Sequence, residues 1–219
     1  MSALAACGLA LILLHDVSAS VDQQEYVAQS RGTAEAFRDP EIHRALAANG
    51  RVRVALVEWA DRPQRRIDWT DIQGPGDAER FAAEVAGLQR SREGMVGGWT
   101  ALGTALAHLR LQHVEREGEC DRAVIDVAGD GVANYGRNVG PERDRATALG
   151  VTINAVAVMQ EVGSTSMLGD DRNLDDYYRE EVVTPSGFVV RAAGYSEFGP
   201  AIRRKLIMEI TQATPGPRG

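Results

Sequence analysis

Basic residues, cysteines and aromatic side chains are all scarce in this chain. Its 219 residues carry 24 Lys and Arg against 31 Asp and Glu, a formal net charge of −7. That balance excludes broad nucleic-acid binding, which relies on clustered cations to displace counterions from phosphates. Only four histidines occur, none at a metal-ligand spacing. No Ser-His-Asp set and no Gly-x-x-x-x-Gly-Lys loop is present either, so the usual signatures of a nucleophilic hydrolase or a phosphate cradle are missing. The apolar run at 3–14 is too short to span a bilayer and has no Lys or Arg before it to act as the n-region of a signal peptide. Leu4-Ala5-Ala6-Cys7 looks superficially like a lipoprotein processing site, but no hydrophobic leader precedes it here.

The two cysteines, Cys7 and Cys120, precede two strong strand candidates, nine positions before Asp16 and ten before Asp130. If those strands are parallel neighbours, the sulfurs lie at similar height on one sheet edge and a disulfide becomes geometrically feasible. The alternative is two small apolar residues in a reduced core. The matched offsets favour the disulfide and, with it, an oxidising compartment.

A hydrophobic content of 44% suffices for a sizeable core, and the length fits one α/β domain over 1–212 with a frayed Pro- and Gly-bearing tail at 213–219. Apolar runs at 8–14, 52–59, 123–127 and 151–158, with weaker ones at 66–69 and 188–191, read as strands covered on both faces. Helical patterns at 21–38, 78–89, 101–115, 142–149 and 197–211 lie between them. The alternation predicts a doubly wound, Rossmann-like α/β fold: a mixed, mostly parallel sheet with helices on both faces. Residues 60–65 are too few for a crossover helix, so 52–59 and 66–69 should form an antiparallel hairpin at the sheet edge.

Asp16-Val17-Ser18-Ala19-Ser20 follows the first strand candidate. One carboxylate and two hydroxyls at alternate positions of a tight turn can face one point, and such hard oxygen donors suit Mg²⁺, Ca²⁺ or Mn²⁺. Ser and Asp also cap helices, which needs no metal. Two other segments share this duality. Thr100, in Gly97-Gly98-Trp99-Thr100-Ala101-Leu102-Gly103, sits at a loop-to-helix boundary and could cap. Asp130, in Gly129-Asp130-Gly131 after the 123–127 strand, could form an Asx turn.

Asp-x-Ser-x-Ser, then Thr-x-x-Gly-x-Ala-Leu, then Gly-Asp-Gly, in this order and on these elements, resembles a von Willebrand factor A domain with a metal-ion-dependent adhesion site. The resemblance covers roughly 8–211. It implies that Asp16, Ser18, Ser20, Thr100 and Asp130 hold a divalent cation, the hydroxyls directly and the carboxylates directly or through water. Two carboxylates neutralise a dication, and the remaining position is open to an acidic residue of a protein partner. Mg²⁺ is the expected metal, with Ca²⁺ or Mn²⁺ as alternatives. More narrowly, His15 to Asp22, Val57-Glu58-Trp59, Val124 to Gly131 and Ile202 to Leu206 are similar to a bacterial group of exported von Willebrand A-like proteins of unknown function. That implies a periplasmic or envelope setting.

His15 and Asp126 are polar residues within apolar strands, expected to find separate structural hydrogen bonds or, if the strands adjoin, to approach each other. Glu58 should pair with a base or face solvent, and Trp59 should be core. Asp170, Asp171, Asp175 and Asp176, followed by Tyr177 and Tyr178, read as a solvated acidic loop, with a second Ca²⁺ site the less favoured reading. Asn134 and Tyr135 either line the main site's rim or shape its loop. The expected function is a non-enzymatic, metal-dependent protein-binding module; metal-assisted phosphoester or ester hydrolysis is the alternative.

Overall fold

The computed structural model describes residues 7–90, 97–114, 120–159 and 173–212. Six strands form one sheet: β1 (Cys7–Asp16), β2 (Arg51–Trp59), β3 (Pro63–Ile72), β4 (Ala123–Gly129), β5 (Val151–Val158) and β6 (Val189–Ala192). Their order across the sheet is β3-β2-β1-β4-β5-β6. All neighbours run parallel except β2 and β3, whose register closes at Trp59 opposite Pro63. The expected edge hairpin is thus present.

The described residues also form the α-helices α1 (Gln23–Phe37), α2 (Pro40–Ala48), α3 (Pro75–Gly87), α4 (Leu102–Val114), α5 (Val139–Ala148) and α6 (Leu174–Tyr177) between strands, and α7 (Phe198–Thr211) after β6. Alternation along β1 sends Leu9, Leu11 and Leu13 to a core shared with α1, α2, α3 and α7. Ile12 and Leu14 enter the opposite core, against α4, α5 and α6. Each such side chain, fully buried, contributes about 2 kcal/mol. Two covered faces explain why β1, β4 and β5 are nearly continuous runs of apolar residues.

The sequence pattern misses α2 and α6. In α2 only Ile42 and Leu46 are buried, too few for a visible apolar stripe, although Asp39 caps the helix and Pro40 occupies its first turn. α6 is four residues long, with Asn173 and Asp176 forming a reciprocal cap, and passes directly into a π-helical turn over Tyr178–Val182.

Cys7 and Cys120 form the disulfide, with Cα atoms 4.5 Å apart. It joins the start of β1 to the segment entering β4, at the edge opposite the Asp16 and Asp130 loops. Among the described residues no helix is long and apolar enough to cross a membrane.

Candidate metal centre

From β1 the chain crosses to β2 on one side and later returns to β4 on the other, so the crevice beyond the carboxyl ends of β1 and β4 is the sheet's topological switch point. Asp16 ends β1 there, and Asp130 immediately follows β4. Ser18 N donates to Asp16 Oδ1 at 2.8 Å, which folds the first loop back over the strand end. Ser18 Oγ and Ser20 Oγ are 3.1 Å apart, and Ser20 Oγ donates to Asp130 Oδ1 at 2.7 Å. Asp16, Ser18, Thr100 and Asp130 are buried, whereas Ser20 is exposed and marks the mouth.

Helix capping does not account for this loop. The N-cap of α1 is Asp22, whose Oδ1 accepts from Gln24 N at 2.7 Å and Glu25 N at 2.8 Å, while Glu25 returns the bond to Asp22 N. The hydroxyls at 18 and 20 therefore have no capping duty on α1.

Thr100 is placed by two residues that sequence reasoning did not assign to this task. Asn134 Oδ1 accepts from Thr100 N at 2.9 Å, and Asn134 N donates back to Thr100 O at 3.0 Å. Asn134 thus shapes the loop. Asp61, just past β2, gathers three backbone N–H groups: Gly97 N at 2.8 Å, Gly98 N at 3.2 Å and Trp99 N at 2.9 Å. Its only sequence signal was a carboxylate one turn beyond a strand, which is common. Gly98 has φ +70°, a left-handed conformation that favours glycine. Its carbonyl accepts from Ala19 N at 3.0 Å, joining the second loop to the first. Arg90 Nη2 donates to Val17 O at 2.9 Å and Ser18 O at 2.7 Å, which pins the first loop from outside.

The electrostatics show a shortage of positive charge. Burial, followed by the charge of Asp130, pushes the Asp16 carboxyl up to about 8, despite the Ser18 hydrogen bonds and the Arg90 charge that act the other way. Asp16 Oδ2 is buried with no hydrogen-bond partner. Behind it, a Cβ on Gly129 would lie 2.5 Å from Tyr178 Oη and 3.1 Å from Asp16 Oδ2, so only glycine leaves that oxygen its space. Burial, then the charges of Asp16 and Asp130 among its neighbours, also raises Tyr178 well above the ordinary phenol range.

A hard divalent cation fits this set. It would satisfy the orphaned oxygen, offset two facing carboxylates and accept hydroxyl donors. Among the described residues no three His, Cys, Asp or Glu side chains gather, so softer nitrogen or sulfur ligation has no cluster to use.

The other singled-out residues fall elsewhere. β1 and β4 do adjoin, yet His15 and Asp126 take separate partners: His15 Nε2 meets Thr33 Oγ1 at 3.4 Å, and Asp126 pairs with Lys205. Trp59 is core. Glu58 is buried, accepting from Tyr26 Oη at 2.7 Å and pairing with Arg66. Asp170 and Asp171 lie outside the described residues. Asp175 pairs with Arg179 at 2.5 Å, Asp176 caps α6, and Tyr177 and Tyr178 are buried, so this stretch is structural. Tyr135 is exposed and stacks on the exposed Trp99 with ring centres 6.0 Å apart.

Residues 6–214 match the model of a family described as protein of unknown function, DUF1194. The chain belongs to this family. No curated protein matches the sequence at a significant level. Among solved structures it is similar to proximal thread matrix protein 1 of the mussel byssus, with 17% identity and a TM-score of 0.65, over 93% of this chain and 48% of that one. A second structure of that protein, with its adhesion-site motif occupied by zinc, aligns at 18% identity and a TM-score of 0.63 over 94% and 49% of the two chains. The pilus adhesin SpaC of Lactobacillus rhamnosus GG aligns at 11% identity and 0.62, over 93% of this chain and 30% of that one. The chain therefore spans about half the length of the mussel protein and less of the adhesin. At these identities the likeness establishes the fold, which is that of a von Willebrand factor A domain.

Proposed function

We propose that the chain is a metal-dependent protein-binding module, in which Asp16, Ser18, Ser20, Thr100 and Asp130 hold a divalent cation and an acidic side chain of a protein partner completes its shell. The observation that carries this is the buried, unpartnered Asp16 Oδ2 facing a site that Ser18, Ser20 and Asp130 close by direct contact. The donors are all hard oxygens, which favours Mg²⁺. A mussel matrix protein with a zinc-occupied site of this kind and a pilus adhesin on the same fold support the binding role over a catalytic one. The Cys7–Cys120 disulfide supports an exported, oxidising location, with the periplasm the specific assignment.

The cation supplies a Lewis-acidic contact for a carboxylate. The chain's own residues fix its place: Arg90, Asp61 and Asn134 hold the three loops, and the Trp99–Tyr135 pair offers an apolar platform at the rim for selecting a partner. Affinity capture from native extract, with and without EDTA, tests the proposal alongside Asp130→Ala. A partner released by EDTA and not captured by the variant supports it. A partner retained under both conditions contradicts it.

A further inference from the structure

The chain contains a single lysine, Lys205, and that residue is not at the surface. Its side chain on α7 is 0% exposed and faces two carboxylates that are equally shut in, Asp126 on β4 and Glu209 one helical turn along α7. Lys205 Nζ is 2.6 Å from Glu209 Oε1 and in contact with Asp126 Oδ1. Asn154 on β5, directly beside Asp126 in the sheet, donates to the same Glu209 oxygen at 2.8 Å. Neither oxygen of Asp126 has a hydrogen-bond partner of normal geometry, nor does Glu209 Oε2. Asp126 alternates along β4 with Val124 and Ala128, which belong to the apolar core that Ala201, Ile202 and Leu206 of α7 also enter.

One ammonium against two carboxylates, shut away from bulk solvent, is a costly way to place charge. Desolvation costs several kcal/mol per buried ion, and attraction offsets that only when the remaining lone pairs are satisfied. Here Asp126 Oδ2 and Glu209 Oε2 are left over. Burial, followed by the charge of Glu209, holds the Asp126 carboxyl well above the usual carboxylate range, which favours its neutral form. A neutral carboxylic acid, a primary amine in contact with it and a second carboxylate within hydrogen-bond reach of that amine are the components of an amide condensation.

We propose that Lys205 and Asp126 become joined by an intramolecular amide bond. Glu209 first takes one proton from the Lys205 ammonium and keeps it; the freed amine attacks Asp126 Cγ, a second nitrogen proton passes to the departing hydroxyl, and one water leaves with Glu209 neutral. No oxidant, metal or co-reactant enters the balance. The driving force is the removal of the desolvated Lys205 and Glu209 charges, leaving one neutral amide and one neutral acid. The bond ties α7 to the strand that ends beside Asp130, while the disulfide ties β1 to the segment entering that strand. The elements carrying the two carboxylates of the proposed metal site would then be covalently linked to α7.

With one lysine, the test is direct. The purified full chain is reduced, denatured, weighed by intact mass spectrometry and digested with a lysine-specific endopeptidase. The expected result is a mass lower by one water, resistance to the protease and, after further digestion, a branched peptide joining Asp126 to Lys205. Glu209→Gln, checked for folding by circular dichroism, should restore full mass and cleavage. Clean cleavage of the wild-type chain into 1–205 and 206–219 at full mass overturns the proposal. So does loss of water that maps to a linear peptide, such as a cyclised Asp130-Gly131, with Lys205 cleavable.

Discussion

Ser20 Oγ donates to Asp130 Oδ1 at 2.7 Å, linking residues 110 positions apart in the chain. Ser18 Oγ stands 3.1 Å behind Ser20 Oγ, and Ser18 N binds Asp16. An unbroken hydrogen-bonded path thus runs from one buried carboxylate to the other, through the Ser18 N–H and the two serine hydroxyls, across the point where the sheet's connections change direction. The path forms because β1 and β4 are adjacent and parallel and therefore deliver their following loops to the same edge.

Gly129 leaves Asp16 Oδ2 its space, so Gly129→Ala should damage the proposed metal site while sparing the fold. The added methyl would fall 2.5 Å from Tyr178 Oη and 3.1 Å from Asp16 Oδ2, and displacing either side chain costs about 1–3 kcal/mol. Calorimetric titration of the folded variant with Mg²⁺ should show binding weakened about tenfold or more. Unchanged affinity would mean that Asp16 Oδ2 is not a ligand.

Asp61 holds the loop bearing Thr100 through three backbone N–H groups, without being in the donor set itself. Hydrogen bonds to a charged acceptor contribute about 2 kcal/mol each, and leaving donors unmade costs similarly. Asp61→Ala should lower stability to urea by about 2–4 kcal/mol and weaken Mg²⁺ binding. Asp61→Asn, which keeps an acceptor oxygen, should recover part of both. Equal losses in the two variants would show that the gathering of N–H groups is not what matters.

His15 gives a pH signature. Burial, with the nearby Lys205 charge, lowers its pKa from 6.5 to about 3. The unfolded chain therefore takes up a proton below pH 6.5 that the folded chain refuses until near pH 3. The stabilising contribution is full above 6.5 and declines as pH falls through that window. Between pH 6.5 and 5 the loss from this group approaches about 2 kcal/mol. Urea denaturation in EDTA should show a steeper decline for wild type than for His15→Gln over this range; parallel declines would contradict the assignment.

Cys7–Cys120 closes a long stretch of chain, and removing such a link typically costs about 2–5 kcal/mol. Cys7→Ser with Cys120→Ser should unfold at correspondingly lower urea concentration. Because the disulfide lies at the opposite edge from the Asp16 and Asp130 loops, Mg²⁺ affinity of the still-folded variant should be little changed. A large affinity loss would indicate that the link supports the site.

Strands were legible because both faces of β1, β4 and β5 are covered, which leaves near-continuous apolar runs. The hairpin was legible from its short connection. Asp16, Ser18, Ser20 and Asp130 stood out because they lie in loops that directly follow strands, and Thr100 because it sits at the start of a helix in a Gly-rich segment. Asp61 and Arg90 did not, since each acts on backbone groups remote in sequence, and nothing local distinguishes such a side chain from a solvated one; Asn134 was read as a rim or loop-shaping residue, without its bond to Thr100. Tyr177 and Tyr178 were hidden for the opposite reason: their acidic flanks suggested solvent, whereas a capped turn of helix turns both rings inward. Lys205 escaped because a run of cations such as Arg203-Arg204-Lys205 ordinarily marks the exposed face of a helix, and the carboxylates that draw it inward lie on β4 and one turn further along the helix.

The most direct measurement is calorimetric titration of the metal-stripped chain with Mg²⁺, repeated with Mn²⁺, Ca²⁺ and Zn²⁺, beside Asp16→Ala and Asp130→Ala variants shown to be folded. The account predicts one divalent cation per wild-type chain, Mg²⁺ among those bound, and no binding to either variant. Absence of divalent binding by the wild type, or equal binding by all three proteins, would contradict it.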